Sequence, residues 1–263
     1  MDQQASHPWQ GTGFTDTGLA RQTNQDAFAV DNDLGLWIVA DGMGGHAGGE
    51  IASRIAVDSL LGTIRAAASA GGALSVQPSR AVALLTEALS IAHDAIQRAA
   101  LQNHELEGMG TTIVVCLLCP GPPFQAVLAH VGDSRAYLLR DRLLQVLTTD
   151  HSYVQKLVAQ GHITQENASH HPQRNILLRA LGIPGQSIPD TRIQPLEPDD
   201  VILLCTDGLT KMLSEDEMLS LLSDTQASPT DMSRHLVDRA NENGGKDNTT
   251  VVLIRPNRSI PAN

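Results

Sequence analysis

Four short apolar segments follow one another in the middle of the chain, and the connections between them are short. The segments span residues 111–118, 124–131, 135–140 and 143–147. Parallel neighbours in a sheet need a crossover of about a dozen residues or more, whereas antiparallel neighbours can be joined by a tight turn. The spacing therefore predicts antiparallel hairpins in this part of the chain.

Apolar spacing predicts further strands and helices on both sides of this region. Residues 27–30 and 36–40 are apolar, and the turn-forming residues between them predict another hairpin. A glycine-rich loop over residues 41–49 leads into a helix. The other predicted elements are helices over residues 79–101, 153–160, 215–223 and 229–243, and strands over residues 201–206 and 248–255.

The chain is predicted to form a single α+β domain. Its 263 residues contain no internal repeat and no linker long enough to separate domains. We therefore expect residues 1–263 to fold as one unit of strands with flanking helices. The pattern weakens over about residues 150–198, a polar stretch with several histidines. Segments of this kind are typically mobile or form a flap that faces the substrate.

Charge and hydropathy exclude several classes of function. Acidic residues outnumber basic residues 29 to 18, a formal net charge of -11. Nucleic-acid affinity comes mainly from lysine and arginine, so this balance argues against a nucleic-acid partner. The longest apolar stretch, residues 113–119, is too short to span a bilayer. The N-terminal residues lack the basic and apolar blocks of a signal peptide, so we expect a cytoplasmic protein.

The pair Cys116 and Cys119 matches a C-x-x-C pattern but lies in a predicted strand. Side chains three residues apart on a strand point to opposite faces of the sheet. The two thiols therefore cannot share a metal ion, and we predict that they are core cysteines.

Aspartates stand at the ends of the predicted strands. Asp41, Asp133 and Asp207 each follow an apolar strand, Asp247 precedes the last strand, and Asp26 precedes the strand at residues 27–30. The start of one antiparallel strand lies beside the end of its neighbour. Asp26 and Asp41 should therefore share one sheet edge. Asp207 and Asp247 should share an edge if the last two strands pair.

Clustered carboxylates repel one another unless cations neutralise them, and ligand sets made only of oxygen favour hard ions such as Mg²⁺ and Mn²⁺. Aspartate is also common in turns, which explains a single strand-end aspartate equally well. Four of them, each beside glycine or asparagine, favour a metal site. The segment 42–47 also fits the G-x-G-x-x-A nucleotide-binding pattern. That alternative would place Asp41 against the pyrophosphate, so we favour the metal site.

Seven segments resemble the motifs of the metal-dependent protein phosphatases, the PPM or type 2C family, in its bacterial form. They occur in family order and cover nearly the whole chain: residues 18–26, 41–46, 110–112, 131–135, 148–152, 204–209 and 247–250. The resemblance implies a four-layer α-β-β-α sandwich of two antiparallel sheets flanked by helices. It also implies two Mn²⁺ or Mg²⁺ ions at one end of the sandwich, with a third ion beside them.

The resemblance also implies a role for each acidic residue. Asp41 would bridge both core ions, the carbonyl of Gly42 would bind the first, and Asp207 and Asp247 would hold the second. Asp133, together with Asp207, matches the third metal site of bacterial members. Asp26 would act on the metal-bound waters without binding a metal ion directly.

The implied reaction is hydrolysis of phosphoserine and phosphothreonine in proteins. A metal-bridging hydroxide attacks phosphorus without a covalent enzyme intermediate. None of the three cysteines is followed by arginine at the spacing of a Cys-x5-Arg phosphatase loop. Arg21 matches the phosphate-binding arginine of the family, although an arginine here could also be an ordinary surface residue. The implied partners are phosphorylated proteins, including a serine/threonine kinase or its substrates, and we expect a monomer.

Two departures from the eukaryotic pattern leave the general acid open. Met43 stands where eukaryotic members have the proposed acid histidine, so His46 is the nearest candidate to protonate the leaving oxygen. His46 could equally be a loop histidine that only orders the glycines. The second departure is Gln25, which stands where eukaryotic members have a glutamate near the first metal ion.

Other interpretations are more ordinary or remain open. His130 lies inside a predicted strand and is predicted to be a buried core residue. A catalytically inactive phosphopeptide-binding module and a hydrolase of small phosphoesters remain alternative functions.

Overall fold

Two antiparallel sheets form the centre of the molecule. The structure, a computed structural model, describes residues 8–45, 47–71, 77–121, 123–185, 187–224 and 227–257. With strands numbered along the chain, the first sheet has the order β1 (Trp9–Asp16), β11 (Thr249–Pro256), β10 (Val201–Cys205), β7 (Arg135–Arg140), β8 (Leu143–Val146). The second has the order β2 (Asp26–Asp31), β3 (Leu36–Met43), β5 (Ile113–Cys119), β6 (Gln125–Val131), β9 (Asp190–Pro195), and the short β4 (Gly110–Thr111) also pairs with β3.

Helices cover both outer faces of this pair of sheets. α1 (Gly48–Gly71) and α2 (Pro78–Gln102) pack on the second sheet, and α6 (Glu215–Leu222) and α7 (Pro229–Glu242) pack on the first. The connections contain the short helices α3 (Tyr153–Ala159), α4 (Gln165–Ser169) and α5 (Asp207–Thr210) and a 3₁₀ turn at His104–Leu106. In the part of the chain that the structure describes, no helix is long and apolar enough to cross a membrane.

Three layers of buried side chains hold the four structural layers together. One layer, which includes Leu60, Leu89 and Ile113, lies between α1, α2 and the second sheet. The middle layer, with Trp37 and Leu204, fills the space between the sheets. The third lies between the first sheet and helices α6 and α7. The predicted α-β-β-α sandwich is confirmed.

The cysteine prediction is also confirmed. Cys116 faces the layer between the two sheets, whereas Cys119 faces the layer beneath α1 and α2. Both thiols are free and buried.

The hairpin predicted between β6 and β7 is wrong, because these strands belong to different sheets. Residues 132–134 carry the chain from one sheet to the other. Gly132 has a φ of 107°, and a Cβ atom there would lie 2.6 Å from the Thr112 side chain. A glycine in this conformation lets the chain turn sharply between two packed layers, so a short connection did not require a hairpin.

Among the described residues, the strands β1 and β9 were not predicted, and both lack an alternating apolar pattern. In β1, Gly11 and Gly13 lie beneath the rings of Trp37 and Phe28, where a side chain would collide with the ring. β9 is a largely exposed edge strand that pairs with β6. It lies inside the segment 150–198, so part of that segment belongs to the sheet.

Candidate metal centre

The strand pairings bring the predicted acids to one end of the sandwich. Asp26 lies opposite Asp41 in the register of β2 and β3. In the first sheet β10 pairs antiparallel with β11, so Asp207 and Asp247 lie at the same end of that pair. The start of β7 pairs with the end of β10, Arg135 with Cys205. The turn that carries Asp133 therefore lies beside Asp207.

Threonine hydroxyls join the two sheets at this end. The Asp26 carboxylate accepts hydrogen bonds at Oδ2 from Thr206 Oγ1 at 3.0 Å and from Thr250 Oγ1 at 2.7 Å. Asp26 belongs to the second sheet, whereas Thr206 follows β10 and Thr250 lies in β11, both in the first. These bonds fix the Asp26 side chain and leave its Oδ1 atom without a hydrogen-bond partner among the described residues.

Thr112 connects Asp41 with the turn that carries Asp133. The Asp41 N–H donates to Thr112 Oγ1 at 3.2 Å, and the Thr112 N–H donates to the Asp41 carbonyl at 2.9 Å. Thr112 Oγ1 also shares a buried hydrogen bond of 2.6 Å with Ser134 Oγ. The backbone positions of Asp41 and of the residue after Asp133 are therefore set by one threonine.

Gly42 lies where two other backbone segments come close. Its N–H donates to the Gln25 carbonyl at 3.1 Å. A Cβ atom at Gly42 would lie 2.5 Å from the Gln25 carbonyl oxygen and closer still to that of Gly49. Only glycine fits here, because neither obstacle is a flexible side chain.

Burial and mutual repulsion raise the pKa values of these carboxylates. Burial is the main cause for Asp41, followed by the charges of Asp26, Asp207 and Asp133, and its pKa lies well above the ordinary value. Burial likewise raises the pKa of Asp26 and of Asp133 to about 7. The pKa of Asp207 is also raised, again mainly by burial. The cluster therefore stores electrostatic repulsion that bound cations would relieve.

The residues present fit divalent cations. Asp207 Oδ1, like Asp26 Oδ1, is buried and has no hydrogen-bond partner within the described ranges. A buried acceptor without a donor is costly and calls for a ligand. Carboxylate oxygens are the donors that Mg²⁺ and Mn²⁺ prefer.

Two basic side chains lie at the carboxylate cluster. The Lys211 ammonium contacts the Asp207 carboxylate and lies 3.8 Å from Asp247 Oδ2. Arg21 binds Asp247 through Nε at 2.9 Å and Nη2 at 3.0 Å. The Arg21 side chain is 52% exposed, so its guanidinium lies at the mouth of the centre. His46, the predicted general acid, lies outside the described residues.

A family comparison decides the class of protein. The model of the family described as protein phosphatase 2C matches residues 19–241. The chain belongs to the protein phosphatase 2C family. Together with the bacterial relatives described next, this match confirms the resemblance to bacterial metal-dependent serine/threonine protein phosphatases.

Curated relatives and solved structures agree with this assignment. The serine/threonine phosphatase stp of Listeria welshimeri is 38% identical over 246 residues, which cover 92% of this chain and 94% of that protein. The S. agalactiae serine/threonine phosphatase structure has a TM-score of 0.85 and 34% identity, with 95% of this chain and 100% of that chain covered. The catalytic domain of the phosphatase PstP, solved in complex with two manganese ions, has a TM-score of 0.80 and 33% identity, with coverage of 94% and 97%.

Sequence reasoning missed several residues that organise the centre of this phosphatase. Thr206, Thr250 and Lys211 contact the predicted acids, and Asn248 holds the loop that carries Arg21. The Asn248 side chain accepts from the Gln25 N–H at 2.8 Å and donates to two backbone carbonyls on either side of Arg21, each at 2.9 Å. Thr206, Thr250 and Asn248 each lie within three residues of an aspartate at a strand end, and this closeness in sequence was the signal that could have identified them.

A second group of possible ligands, His130, His151 and Asp190, does not favour metal binding. The two imidazole rings stack at 4.6 Å with planes only 23° apart, whereas shared chelation needs in-plane lone pairs that converge. His130 Nε2 already bonds the Thr149 carbonyl at 2.9 Å, and Arg179 lies 2.7 Å from Asp190. His130 is buried and hydrogen-bonded, which confirms its prediction as a core residue.

The raised pKa values of Asp26 and Asp133 predict how the metal-stripped phosphatase responds to pH. A folded-state pKa above the unfolded value stabilises the protein at low pH, and this contribution is lost as pH rises through the folded pKa. In EDTA we expect Tm to fall by on the order of 5 °C between about pH 4 and pH 7, the window between the ordinary value and the raised values of about 7.

Differential scanning calorimetry in EDTA and in saturating Mn²⁺ measures this effect. Metal binding needs deprotonated carboxylates, so the stabilisation by Mn²⁺ should grow over the same pH range. A stabilisation by Mn²⁺ that is independent of pH would contradict the assignment of these carboxylates to the metal centre.

Proposed function

We propose that this phosphatase hydrolyses phosphoserine and phosphothreonine in other proteins by in-line attack on phosphorus, without a covalent enzyme intermediate. The observation that carries the proposal is the convergence of acids from both sheets at one end of the fold, with two buried aspartate oxygens lacking donors among the described residues. Its relatives are named serine/threonine phosphatases, which supports phosphoserine and phosphothreonine as the substrate class.

The carboxylates would hold two Mn²⁺ or Mg²⁺ ions and a third beside them. Asp41 would contact both core ions, with the Gly42 carbonyl on the first and Asp207 and Asp247 on the second. Asp133 would join Asp207 at the third. Bound divalent cations supply a nucleophile at neutral pH, by lowering the pKa of water, and offset the charge of the phosphate.

The remaining residues would orient the substrate and handle protons. The Arg21 guanidinium lies at the mouth of the centre and already binds a carboxylate through two nitrogens, a geometry that also suits a phosphate dianion. Asp26 Oδ1 is buried and receives no hydrogen bond from the described residues, so it can accept a proton from the attacking water. His46 would protonate the leaving serine or threonine oxygen.

The segment 150–198 would help to select the substrate protein. Ile176, Leu178 and Ile188 in this segment are 44%, 49% and 63% exposed, so their side chains are available for contact with a peptide. In the cytoplasm, the physiological setting that we propose, the phosphatase would oppose a serine/threonine kinase and act as a monomer.

The test of this function is the Asp207→Asn variant. Because the neutral amide removes a ligand charge, we expect Mn²⁺-dependent hydrolysis of p-nitrophenyl phosphate and of phosphothreonine peptides to fall by about 10³-fold or more. Asp58→Asn, an exposed position on α1, is the matched control and should retain full activity.

Three outcomes would overturn parts of the proposal. Full turnover in Asp207→Asn would refute the metal assignment. Phosphopeptide binding without turnover in saturating Mn²⁺ would indicate a binding module. Faster hydrolysis of small phosphometabolites than of phosphopeptides would indicate a different substrate class.

A further inference from the structure

His151 binds both backbone groups of Gly132, the residue before Asp133. The backbone N–H of His151 donates to the Gly132 carbonyl at 2.9 Å, and the backbone N–H of Gly132 donates to the ring atom Nδ1 of His151 at 3.1 Å. Gly132 has left the ladder of β6 and has not entered β7, so its backbone needs other partners. One histidine supplies both of them.

The second ring nitrogen of His151 reaches the edge strand β9. His151 Nε2 lies 3.2 Å from Asp190 Oδ2, and Arg179 Nη1 lies 2.7 Å from Asp190 Oδ1. Because Nδ1 accepts from Gly132, the proton of the neutral ring is on Nε2, where it can be donated to Asp190. Asp190 is placed to stabilise the tautomer that can hold Gly132, and Arg179, whose Nη1 also lies 3.2 Å from His151 Nε2, holds Asp190.

The surroundings keep the His151 ring neutral and fixed. The ring is buried and stacks on His130. Burial, and then the neighbouring His130, lower the pKa of His151, although its hydrogen bond to Asp190 acts in the opposite direction. A protonated ring would present a donor to the Gly132 N–H and lose that hydrogen bond.

Other contacts hold the far side of the same turn. Ser134 bonds Thr112, and Arg135 binds Asp150 through two hydrogen bonds of 2.8 and 2.7 Å. These contacts fix the residues after Asp133, whereas His151 fixes the residue before it. The Asp133 carboxylate therefore projects from a turn that is held on both sides, and His151 holds the side that precedes it.

We propose that His151 is a positioning residue for Asp133, and that through Asp190 and Arg179 it sets the affinity of the third divalent cation. This inference rests on the assignment of Asp133 to that site under the proposed function. Ligands held by a second set of residues commonly lose about 10–100-fold in metal affinity when that support is removed.

Two variants of His151 separate positioning from general packing. Asparagine can place its Oδ1 where Nδ1 lies and so accept from the Gly132 N–H, whereas glutamine places its amide near Nε2 and cannot do both. In calorimetric titration of the metal-stripped protein with Mn²⁺, we expect His151→Gln to weaken the third site by about 10-fold or more and to leave the two tighter ions unchanged. His151→Asn should stay close to the wild type.

The contact with Asp190 gives an independent pair of variants. Asp190→Asn retains an acceptor for the Nε2 proton and should have little effect, whereas Asp190→Leu should weaken the third site as His151→Gln does. This pair decides the question if the His151 variants fail to fold. Equal affinities for all ions in Asp190→Leu and the wild type would overturn the inference.

Asp133→Asn distinguishes failure of this inference from failure of the proposed function. If Asp133→Asn abolishes the third site and His151→Gln leaves it intact, the positioning role is wrong. If Asp133→Asn retains the third site, the assignment of Asp133 itself is wrong and the positioning role fails with it.

Discussion

Asp41→Asn is expected to lower kcat by about 10³-fold or more and, in the same protein, to raise the Tm of the metal-stripped form. Burial is the main cause that raises the pKa of Asp41 well above the ordinary value, and the charges of the surrounding acids add to it. These acids are Asp26, Asp133, Asp207 and Asp247. The asparagine removes one charge from this group and so relieves repulsion when no cation is bound. The same change removes the ligand assigned to both core ions.

The two effects can be measured on one preparation. Activity is assayed in saturating Mn²⁺, and Tm is measured in EDTA, where we expect an increase of about 3–8 °C at about pH 8. The increase should shrink as pH is lowered, because the raised pKa of Asp41 lets the wild type take up a proton there and lose the same charge. Asp33→Asn, in the exposed turn between β2 and β3, is the control and should change neither quantity. A lower Tm for Asp41→Asn in EDTA would contradict the repulsion argument.

Gly42→Ala is expected to destabilise the protein by about 3 kcal/mol or more, which corresponds to a fall in Tm of about 6–12 °C. The added methyl group would overlap the carbonyl oxygen of Gln25 on one side and that of Gly49 on the other. Both obstacles are backbone atoms at the centre, so relief requires movement of β3 or of the start of α1. Weaker Mn²⁺ binding should accompany the loss of stability.

Gly62→Ala is the matched control for this prediction. Gly62 lies within α1, and a Cβ atom there would meet nothing within 4 Å. Alanine favours a helix over glycine by about 1 kcal/mol, so this variant should be slightly more stable than the wild type. Thermal unfolding of both variants, with Mn²⁺ titration, tests the pair. Equal Tm values for Gly42→Ala and the wild type would show that the backbone at Gly42 can yield.

The local pattern of the sequence was sufficient to predict many of the strands and helices and the grouping of the acids. Asp26 and Asp41 flank one hairpin, so their proximity follows from pairing of adjacent segments. The proximity of Asp207 and Asp247 depended on pairing of the last two strands, which the structure contains. The family resemblance added the arrangement of the layers, which periodicity alone does not contain.

The contacts between the sheets could not be predicted from the sequence in the same way. Thr206 and Thr250 bond Asp26 although 180 and 224 residues separate them from it along the chain. The turn at Gly132 also depends on which sheet receives β7, a property of packing rather than of local spacing. Threonine beside a strand end has many ordinary uses, so its identity alone does not reveal such a contact.

Because each sheet carries only some of the proposed ligands, uptake of Mn²⁺ should report on the docking of the two halves of the sandwich. The second sheet carries Asp41 and Gly42, and the first is flanked by Asp207 and Asp247. A chain in which either sheet has formed alone offers an incomplete set of oxygens and should bind the ions poorly. Divalent cations would therefore favour the fully assembled molecule over every partly folded form and act as a chemical check that assembly is complete.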